Sequence, residues 1–437
     1  MLSIGLDIGT TTISVVVYDS DKDQVIASKT VSNDSFIKSE NNWERIQETK
    51  IIILNAKSAL DELLQQYTNV QYIGITGQMH GIVYTNANGG AVSPLYTWQD
   101  ARGDLQVENG KCSFVEWLKE TTGEKVASGY GLVTHFWNLK NNNVPNDAAQ
   151  ICTIGDYLGM QLCGLKSPII HISNAASLGF FDLENKSFKC EKLQKLGMDC
   201  SILPTITAEF KEIGKYKGIP VVCGIGDNQA SFIGAVGLQD GCVLLNMGTG
   251  GQISVLSERV VDTENIETRP ITKNKYLLVG ASLCGGRALA IVENFFKEYV
   301  KIATGKEDSQ YDVLAKLAGR YKKFNDELKV STCFMGTRAN PNLRGSINGI
   351  SENNFTPEAF AYGVFEGMAD ELFSMYQEIN TVKSVNIQKL IASGNALRLN
   401  KILCEIFSEK FDAPIELSKC KEEAATGAAK IKFQGGI

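Results

Sequence analysis

One carboxylate stands where a short apolar strand meets a helix in the middle of the chain. Residues 221–223 are Val-Val-Cys, and the glycines 224 and 226 lead to Asp227 and a run of small and apolar residues typical of a tightly packed helix. Open α/β sheets hold their ligands and catalytic groups at the carboxyl ends of strands. Asp227 is therefore a candidate catalytic residue, and the alternative is that it caps the following helix.

A second carboxylate lies in the first predicted strand. Asp7 interrupts an otherwise apolar run, and a carboxylate in such a place needs a partner, for which a metal ion is one candidate. The strand ends in a segment that we call the first Gly-Thr turn, Gly9–Thr12. Its backbone N–H groups and hydroxyls could surround an anion, and the alternative is an ordinary hairpin turn.

Polar and aromatic side chains gather after the next predicted strand, residues 70–76. They occupy two stretches, 77–81 and 96–102, and such a mixture of an aromatic face and hydrogen-bonding groups suits a polyhydroxylated ligand. A single tryptophan or histidine would more often be structural, whereas two neighbouring clusters leave binding and a structural role as equal alternatives. The members of this cluster are Gln78, His80, Trp98, Gln99, Asp100 and Arg102.

Length and composition limit the class of protein. A chain of 437 residues exceeds one ordinary core, which favours two domains, and 43% hydrophobic and 21% charged residues are typical of a soluble globular protein. A net charge of −6 without a long basic run argues against nucleic acid and anionic membranes as partners. The eleven cysteines include no CxxC pair, which fits a reducing cytoplasm. Neither a signal peptide nor a membrane span is predicted.

The opening pattern of the chain recurs in its second half. A strand from residue 242, the second Gly-Thr turn (Gly248–Gly250), two strands and a helix repeat the order found at the N-terminus. The repetition predicts two related α/β domains that face each other, with a boundary near residues 237–241. We assign residues 1–236 to the N-terminal domain and 237–437 to the C-terminal domain.

Periodicity and capping signals place the other main elements. They predict helices over residues 43–67, 288–300 and 355–379, the last with Thr356 and Pro357 at its start. A strand over 389–393 leads into a glycine turn and a further helix.

Taken together, these motifs resemble the FGGY carbohydrate kinases, within the actin-like ATPase superfamily, over nearly the whole chain. Residues 6–11 (Leu-Asp-Ile-Gly-Thr-Thr) and 246–250 (Asn-Met-Gly-Thr-Gly) are similar to the two phosphate motifs of that family. Residues 392–396 resemble its adenosine motif, and residues 226–227 resemble the segment with its catalytic aspartate. The fold implied is two actin-like, ribonuclease H-like α/β domains around a central cleft.

The resemblance also implies a mechanism. The chain has no GxxxxGK[ST] P-loop, so ATP would bind through a different cradle, the two Gly-Thr turns. Mg²⁺ would be held largely through water near Asp7 and Asp227. Asp227 would accept a proton from a terminal sugar hydroxyl as that hydroxyl attacks the γ-phosphorus. The implied nucleotide-binding residues are Gly9, Thr10, Thr11, Thr12, Gly248, Thr249, Gly250, Gly394 and Asn395.

The sugar-facing motifs resemble two branches of the family. Residues 77–81 (Gly-Gln-Met-His-Gly) are shared by sedoheptulokinases and xylulokinases, and 97–100 (Thr-Trp-Gln-Asp) resemble the sedoheptulokinases. Asn228 is closer to the xylulokinases. A ketose substrate is implied, sedoheptulose first and D-xylulose as the alternative. The implied substrate-binding residues are Gln78, Met79, His80, Trp98, Asp100, Arg102 and Asn228.

Two functions from other classes are alternatives to the kinase. An actin-like or chaperone-like ATPase would share both Gly-Thr turns without needing the cluster over residues 78–102. A catalytically silent sugar-binding protein would keep the cluster but lose an acid, and both Asp7 and Asp227 are present. The oligomeric state is left open, with a homodimer as one option.

Overall fold

The computed structural model describes residues 1–107, 110–261, 263–321, 328–338, 340 and 342–433. The chain forms two compact units, and the first contains Met1–Leu238, Pro270–Lys275 and the segment from Cys420 onward. The second contains Gln239–Arg269 and Tyr276–Lys419. The partition into functional domains 1–236 and 237–437 stays a prediction, and it did not include the two segments that return to the first unit.

The strands of the first unit alternate with turns and helices along the N-terminal half. In chain order they are β1 (Leu2–Ile8), β2 (Thr12–Asp19), β3 (Gln24–Ser32), β4 (Ile46–Gln47), β5 (Val70–Gly77), β6 (Val83–Thr85), β7 (Leu95–Tyr96), β8 (Gln150–Cys152), β9 (Ile169–His171), β10 (Phe181–Asp182), β11 (Ser187–Phe188), β12 (Thr205–Thr207), β13 (Glu212–Tyr216), β14 (Ile219–Val222) and β15 (Ile225–Gly226).

The main sheet of the first unit brings distant strand ends to one edge. Its strand order in the described part of the chain is β13-β14-β5-β1-β2-β3, with β15 beside β5. β1 pairs antiparallel with β2 and parallel with β5, and β15 is also parallel to β5. Ile8 lies beside Gly77, and Gly77 lies beside Gly226. The residues that follow these three positions therefore lie near one another.

Helices cover this sheet and the smaller strand pairs beside it. The first helix begins later than the sequence predicted, because residues 46–47 form a strand with 95–96 and Glu48 is the N-cap. The helices of the first unit in this part of the chain are α1 (Thr49–Gln66), α2 (Phe114–Thr122), α3 (Gly131–Lys140), α4 (Ile154–Cys163), α5 (Ile172–Ser177), α6 (Cys190–Lys195) and α7 (Asp227–Ala235), with 3₁₀ turns at Arg102–Asp104 and Cys200–Ile202.

The second unit repeats the central arrangement of the first. Its main sheet has the order β18-β19-β17-β16-β22-β23 in the described residues, with β16 antiparallel to β17 and parallel to β22, as β1 is to β2 and β5. This is the repeat that the sequence predicted. The strands are β16 (Cys242–Met247), β17 (Gly251–Ser257), β18 (Ile266–Pro270), β19 (Tyr276–Ser282), β20 (Lys329–Ser331), β21 (Ser346–Asn348), β22 (Lys389–Ser393) and β23 (Ile415–Leu417).

A long helix crosses the core of the second unit. Thr356 and Pro357 lie at its start as predicted, as N-cap and in the first turn, but the helix begins two residues after the predicted start at 355 and runs three residues beyond the predicted end at 379. No helix in the described ranges is long and apolar enough to span a bilayer. The helices are α8 (Gly286–Thr304), α9 (Tyr311–Arg320), α10 (Pro357–Val382), α11 (Asn395–Leu399) and α12 (Lys401–Phe411).

The last helix, α13 (Glu423–Lys430), returns to the first unit and ends in a 3₁₀ turn at Ile431–Phe433. Glycines let it approach the sheet closely, because a Cβ added at Gly5 or Gly74 would lie 1.8 or 1.9 Å from a carbonyl oxygen of α13. A Cβ at Gly427 would lie 1.7 Å from the carbonyl oxygen of Ala230 in α7. This helix thus braces both β1, which carries Asp7, and α7, which carries Asp227.

Candidate active site

Asp227 is the first residue of α7, at the sheet edge where β1, β5 and β15 end. The N-cap of this helix is Gly226, and no side chain makes a capping hydrogen bond there. Asp227 is therefore not the cap that the alternative interpretation supposed. A carboxylate in the first turn of a helix lies at the positive end of the helix dipole.

Asp7 lies within the field of Asp227. Burial, followed by the negative charges of Asp227 and Glu422, raises the pKa of Asp7 to about 8. Its Oδ1 is buried and accepts no hydrogen bond from the described residues. A cation beside Asp7 would favour its ionised form and would bind the unused oxygen, so the residues fit a magnesium ion.

The carboxylates at this position offer oxygen ligands, which are the type that Mg²⁺ takes. The described residues contain no group of three or more histidine, cysteine, aspartate or glutamate side chains arranged to ligate a metal. Mg²⁺ keeps several of its waters and uses one or two carboxylates. Asp7 and Asp227 would be enough for such an ion.

The first Gly-Thr turn presents its N–H groups on one side. Asn33 donates to the carbonyl oxygens of Gly9 and Thr11, through Nδ2 and the backbone N–H, each at 2.8 Å. Gln47 Nε2 donates to the carbonyl oxygen of Thr10 at 2.9 Å. In a trans peptide the N–H points opposite to the preceding carbonyl. The N–H groups of Thr10 and Thr11 therefore point away from these partners, as an anion cradle requires.

The second Gly-Thr turn is built in the same way within the second unit. The start of α8 holds it, because the N–H groups of Gly286 and Arg287 donate to the carbonyl oxygens of Gly248 and Thr249 at 2.8 and 3.0 Å. A Cβ at Gly286 would lie 2.5 Å from the carbonyl oxygen of Gly248, so this approach requires glycine. The N–H groups of Thr249 and Gly250 consequently point away from α8.

Gly394 and Asn395 adjoin the second Gly-Thr turn. They follow β22, whose Ser393 lies beside Asn246 of β16. Gly394 has a φ of +85° and is the N-cap of α11, which begins at Asn395. A Cβ at Gly394 would lie 2.5 Å from the carbonyl oxygen of Met247, so glycine is needed for both reasons. The structure thus brings two of the nucleotide motifs together within the second unit.

The polar and aromatic cluster over residues 78–102, which we call the sugar cluster, is connected to the first Gly-Thr turn by a series of hydrogen-bonded side chains. Trp98 Nε1 donates to Thr10 Oγ1 at 3.0 Å, and that hydroxyl lies 3.5 Å from Gln78 Oε1. Gln78 Nε2 donates in turn to Gln47 Oε1 at 2.8 Å. Trp98 keeps 47% of its surface exposed, so its ring is available to a ligand.

Asp100 and Arg102, also predicted to bind substrate, are buried and paired with each other. Arg102 Nε donates to Asp100 Oδ1 at 2.6 Å, and its Nη2 donates to Asp100 Oδ2 at 3.1 Å. The guanidinium stands 4.3 Å from the ring centre of Tyr96 and also contacts Trp43 and Trp137. These partners give the two side chains a structural task in the segment that follows Trp98, and their contact with sugar stays a prediction.

His80 and Met79 occupy the end of β5. His80 adopts a φ of +71°, unusual for a residue with a side chain, and its N–H donates to Ser177 Oγ at 3.1 Å. Its ring stacks on Tyr130 with centroids 4.7 Å apart. Met79 is buried, and a Cβ at Gly226 would lie 2.7 Å from its sulfur. Met79 therefore packs against the turn that carries Asp227.

Asn228 follows Asp227 in α7. Its Oδ1 is buried and has no hydrogen-bond partner within the described ranges. A buried amide oxygen without a donor is costly unless a ligand supplies one. This feature agrees with the prediction that Asn228 contacts substrate.

Sequence reasoning missed two residues of this site. Gln47 lies in a two-residue strand that the pattern joined to the following helix, yet it holds both Thr10 and Gln78. Glu422 precedes α13 almost two hundred residues after Asp227, and its charge acts on Asp7. Both residues join the site through long-range features. The pairing of residues 46–47 with 95–96 places Gln47, and the return of the C-terminal segment to the first unit places Glu422.

Comparison with known proteins agrees with this geometry. The model of the N-terminal domain of the FGGY family of carbohydrate kinases matches residues 2–234, and that of the C-terminal domain matches 243–433. Sedoheptulokinase from Mus musculus is 28% identical, covering 99% of this chain and 97% of its own. Xylulose kinase from Staphylococcus xylosus is 25% identical, covering 99% and 90%.

Solved structures share the fold. The crystal structure of xylulose kinase from Rhodospirillum rubrum superposes with a TM-score of 0.85 at 21% identity, covering 100% of this chain and 90% of that one. The predicted fold class, two actin-like, ribonuclease H-like α/β domains, is thereby confirmed. A sugar phosphotransferase is also what the family match supports, in preference to the ATPase without a sugar substrate. On these grounds the chain belongs to the FGGY family of carbohydrate kinases and is an ATP-dependent sugar kinase.

Proposed function

We propose that this kinase transfers the γ-phosphoryl group of ATP to the terminal hydroxyl of sedoheptulose, which yields sedoheptulose 7-phosphate. The observation that carries the reaction class is the chain from Trp98 through Thr10 to Gln78, which joins the sugar cluster to a phosphate turn. The choice of sugar rests on similarity to sedoheptulokinases from Mus musculus and Homo sapiens, at 28% and 27% identity over 99% of the chain.

Asp227 is the proposed general base. A carboxylate at a helix start, next to a second carboxylate and near the sugar cluster, can accept the proton of an attacking hydroxyl. Phosphoryl transfer depends mainly on positioning and on charge stabilisation, so one base between a held sugar and a held nucleotide is sufficient. Magnesium, held through water by Asp7 and Asp227, would neutralise charge on the phosphates.

The two Gly-Thr turns are the proposed contacts for the phosphates of ATP. The N–H groups of Thr10 and Thr11 in one turn, and of Thr249 and Gly250 in the other, are directed away from the protein partners that hold the carbonyls. Gly394 and Asn395 are the proposed contacts of the adenosine.

The ligand contacts proposed for the sugar follow from exposure and unused polar atoms. Trp98 offers an exposed aromatic face to the apolar side of the sugar, and Asn228 offers an amide oxygen without a partner in the described residues. Gln78, Met79 and His80 follow β5, and their proposed contact with the sugar rests on the resemblance of residues 77–81 to the sugar-facing motif of the family. We assign Asp100 and Arg102 to the support of Trp98, with direct contact as the alternative.

D-xylulose is the second candidate substrate. Asn228 resembles the xylulokinases at the position next to the base, and xylulose kinase from Staphylococcus xylosus matches over 99% of this chain. The two ketoses differ by two CHOH units and both end in a primary hydroxyl, so contacts to that hydroxyl alone do not discriminate between them, and the rest of the pocket must do so.

Coupled ADP release with ATP and Mg²⁺ tests the proposal. The panel contains sedoheptulose, D-xylulose, D-ribulose, glycerol and no sugar. We expect the highest kcat/KM with sedoheptulose. A maximum on D-xylulose would transfer the assignment to the second candidate, and equal ADP release with and without every sugar would refute a sugar substrate.

The base is tested by Asp227→Asn. We expect kcat to fall by a factor of roughly 100 or more, because general base catalysis contributes about that much. Asp312→Asn is the matched control, since Asp312 also lies in the first turn of a helix but is exposed in the second unit. Unchanged turnover in Asp227→Asn would refute the proposed role.

A further inference from the structure

The segment that carries Asp227 is held by three buried side chains at three consecutive residues. Asn174 Nδ2 donates to the carbonyl oxygen of Gly224 at 3.2 Å. Thr76 Oγ1 donates to the carbonyl oxygen of residue 225 at 2.9 Å. The N–H of Gly226 donates to Ser173 Oγ at 2.9 Å. All three side chains are at most 2% exposed, so water does not compete for these hydrogen bonds.

Ser173 is itself oriented by His171. The backbone N–H of Ser173 donates to His171 Nδ1 at 3.2 Å, so this nitrogen is an acceptor. Ser173 Oγ lies 2.8 Å from the same nitrogen. Because an Nδ1 that accepts from the Ser173 N–H carries no proton, the hydroxyl must donate its own proton to this nitrogen. The direction of the chain is therefore fixed, from the Gly226 N–H through the serine hydroxyl to the imidazole.

The imidazole keeps this acceptor role at every ordinary pH. His171 is fully buried, and burial lowers its pKa to about 3. It also stacks on Phe210 with ring centroids 5.2 Å apart, which restrains its rotation. A neutral, immobile ring next to Ser173 holds the hydroxyl in one orientation.

Glycine makes this support necessary. Gly226 precedes the base and, without a Cβ, has few restraints of its own; an added Cβ would lie 2.5 Å from Gln229 Oε1 and 2.7 Å from Met79 Sδ, two buried side chains that would have to move. The backbone conformation that orients Asp227 must therefore be maintained by residues outside this segment. The hydrogen bond from Gly226 to Ser173 acts on the peptide group directly before Asp227.

We propose that Ser173 is a positioning residue for Asp227, with His171 orienting its hydroxyl. The proposal rests on the function proposed for Asp227. In this proposal Ser173 acts on the base through the peptide of Gly226, whose N–H donates to its hydroxyl. Because general base catalysis requires a heavy-atom distance of about 2.6–3.2 Å, and a displacement of about 1 Å can cost a factor of about 100, loss of this hydrogen bond should lower kcat.

The test compares Ser173→Ala with Ser3→Ala in the full chain. Ser3 is the matched control, because it is also fully buried in the first unit and its Oγ donates to the carbonyl oxygen of Ala429 at 2.6 Å. We expect Ser173→Ala to lower kcat by about tenfold while KM for sugar and for ATP stay within about twofold. Ser3→Ala should keep kcat within about twofold even if its Tm falls equally.

A second pair of variants isolates the orienting role of His171. Asparagine carries an oxygen near the position of Nδ1, so His171→Asn keeps an acceptor for the serine hydroxyl, whereas His171→Leu removes it. We expect kcat to be higher in His171→Asn than in His171→Leu at similar KM values. If Ser173→Ala does not fold, this pair provides the test, and equal kcat in the two variants overturns the proposal.

Asp227→Asn separates this inference from the proposed function. If Asp227→Asn is inactive while Ser173→Ala turns over like Ser3→Ala, the positioning role is refuted and the base assignment stands. If Asp227→Asn keeps the wild-type kcat, the base assignment fails, and the positioning proposal fails with it. A fall in kcat for Ser173→Ala and Asp227→Asn, with Ser3→Ala unaffected, supports both.

Discussion

The indole nitrogen of Trp98 donates a hydrogen bond of 3.0 Å to the hydroxyl of Thr10, 88 residues earlier in the chain. Thr10 belongs to the first Gly-Thr turn, and Trp98 belongs to the sugar cluster. The contact is a direct link, within the first unit, between the residues proposed for phosphate and those proposed for sugar. A kinase needs this proximity because the acceptor hydroxyl must meet the γ-phosphorus.

Trp98→Phe should weaken sugar binding while an aromatic face remains. One hydrogen bond contributes about 0.5–1.5 kcal/mol, so we expect KM for the sugar to rise by roughly two- to tenfold with a smaller change in kcat. Steady-state kinetics with the best sugar measure it. Trp117→Phe is the control, because Trp117 stacks on Phe136 with centroids 5.5 Å apart and lies outside the cluster. An unchanged sugar KM in Trp98→Phe would show that the link to Thr10 has no part in binding.

Arg102→Met should destabilise the protein. The guanidinium is paired with Asp100 and is enclosed by aromatic rings, so its removal leaves a buried carboxylate without its cation. Breaking a buried ion pair in this way costs about 3–5 kcal/mol. Denaturant unfolding would measure the loss. Arg320→Met, at an exposed position in the last turn of α9, should change the unfolding free energy by at most about 0.5 kcal/mol.

The same pair of variants distinguishes structure from ligand contact at Arg102. If Arg102→Met folds with nearly wild-type stability but loses sugar affinity, Arg102 binds the substrate directly, and the supporting role assigned to it is wrong.

The parts of the site that the sequence predicted are those whose chemistry is local. Asp7 and Asp227 could be identified from the sequence because a carboxylate beside an apolar strand has few ordinary structural roles. The same is true of a Gly-Thr segment between apolar strands, so both Gly-Thr turns could be identified as well. The repeated order of strands likewise predicted the α/β fold. Their roles as ligands and as base stay predictions until the kinetic tests are made.

What the sequence could not indicate depends on contacts between distant segments. Gln47 joins the site through the pairing of β4 with β7, and Glu422 joins it through the return of α13 to the first unit. Arg102 has the residue type of a ligand, and only its burial reveals its ion pair with Asp100. Tertiary packing determines the position of each of these three residues, and a local sequence pattern does not contain that information.

Asp156→Asn should alter the pH dependence of stability. Burial raises the pKa of Asp156 to about 7, although hydrogen bonds from Thr153 and Asn174 oppose the shift. The folded chain therefore keeps a proton that the unfolded chain loses near pH 4. Stability from this group is fully present below the unfolded pKa and is lost as pH rises through about 7.

The asparagine variant has no proton to lose. Relative to wild type, its unfolding free energy should rise by about 2–3 kcal/mol between pH 5 and pH 8. Urea unfolding at the two pH values measures this difference. The neighbouring thiols of Cys152 and Cys223 stay neutral throughout, because burial raises their pKa values. A constant difference between the two proteins would mean that Asp156 is ionised in the folded state across this range.

Gly427→Ala should disturb stability and turnover together. An added methyl group in α13 would lie 1.7 Å from the carbonyl oxygen of Ala230. The clash is with backbone atoms, so movement of a flexible side chain cannot relieve it. The helices must separate, which costs about 1–3 kcal/mol or more and outweighs the gain of about 1 kcal/mol from replacing a helical glycine. Since α7 begins at Asp227, its displacement should also lower kcat.

Gly319→Ala provides the comparison, because Gly319 is a helical glycine at an exposed position and an added Cβ would lie 3.3 Å from the flexible end of Ile402. This variant should be as stable as wild type or more so, with unchanged kcat. Thermal unfolding and steady-state kinetics on both variants measure the effects. If Gly427→Ala were as stable and active as Gly319→Ala, the close packing of α13 on α7 could not be what holds Asp227 in place.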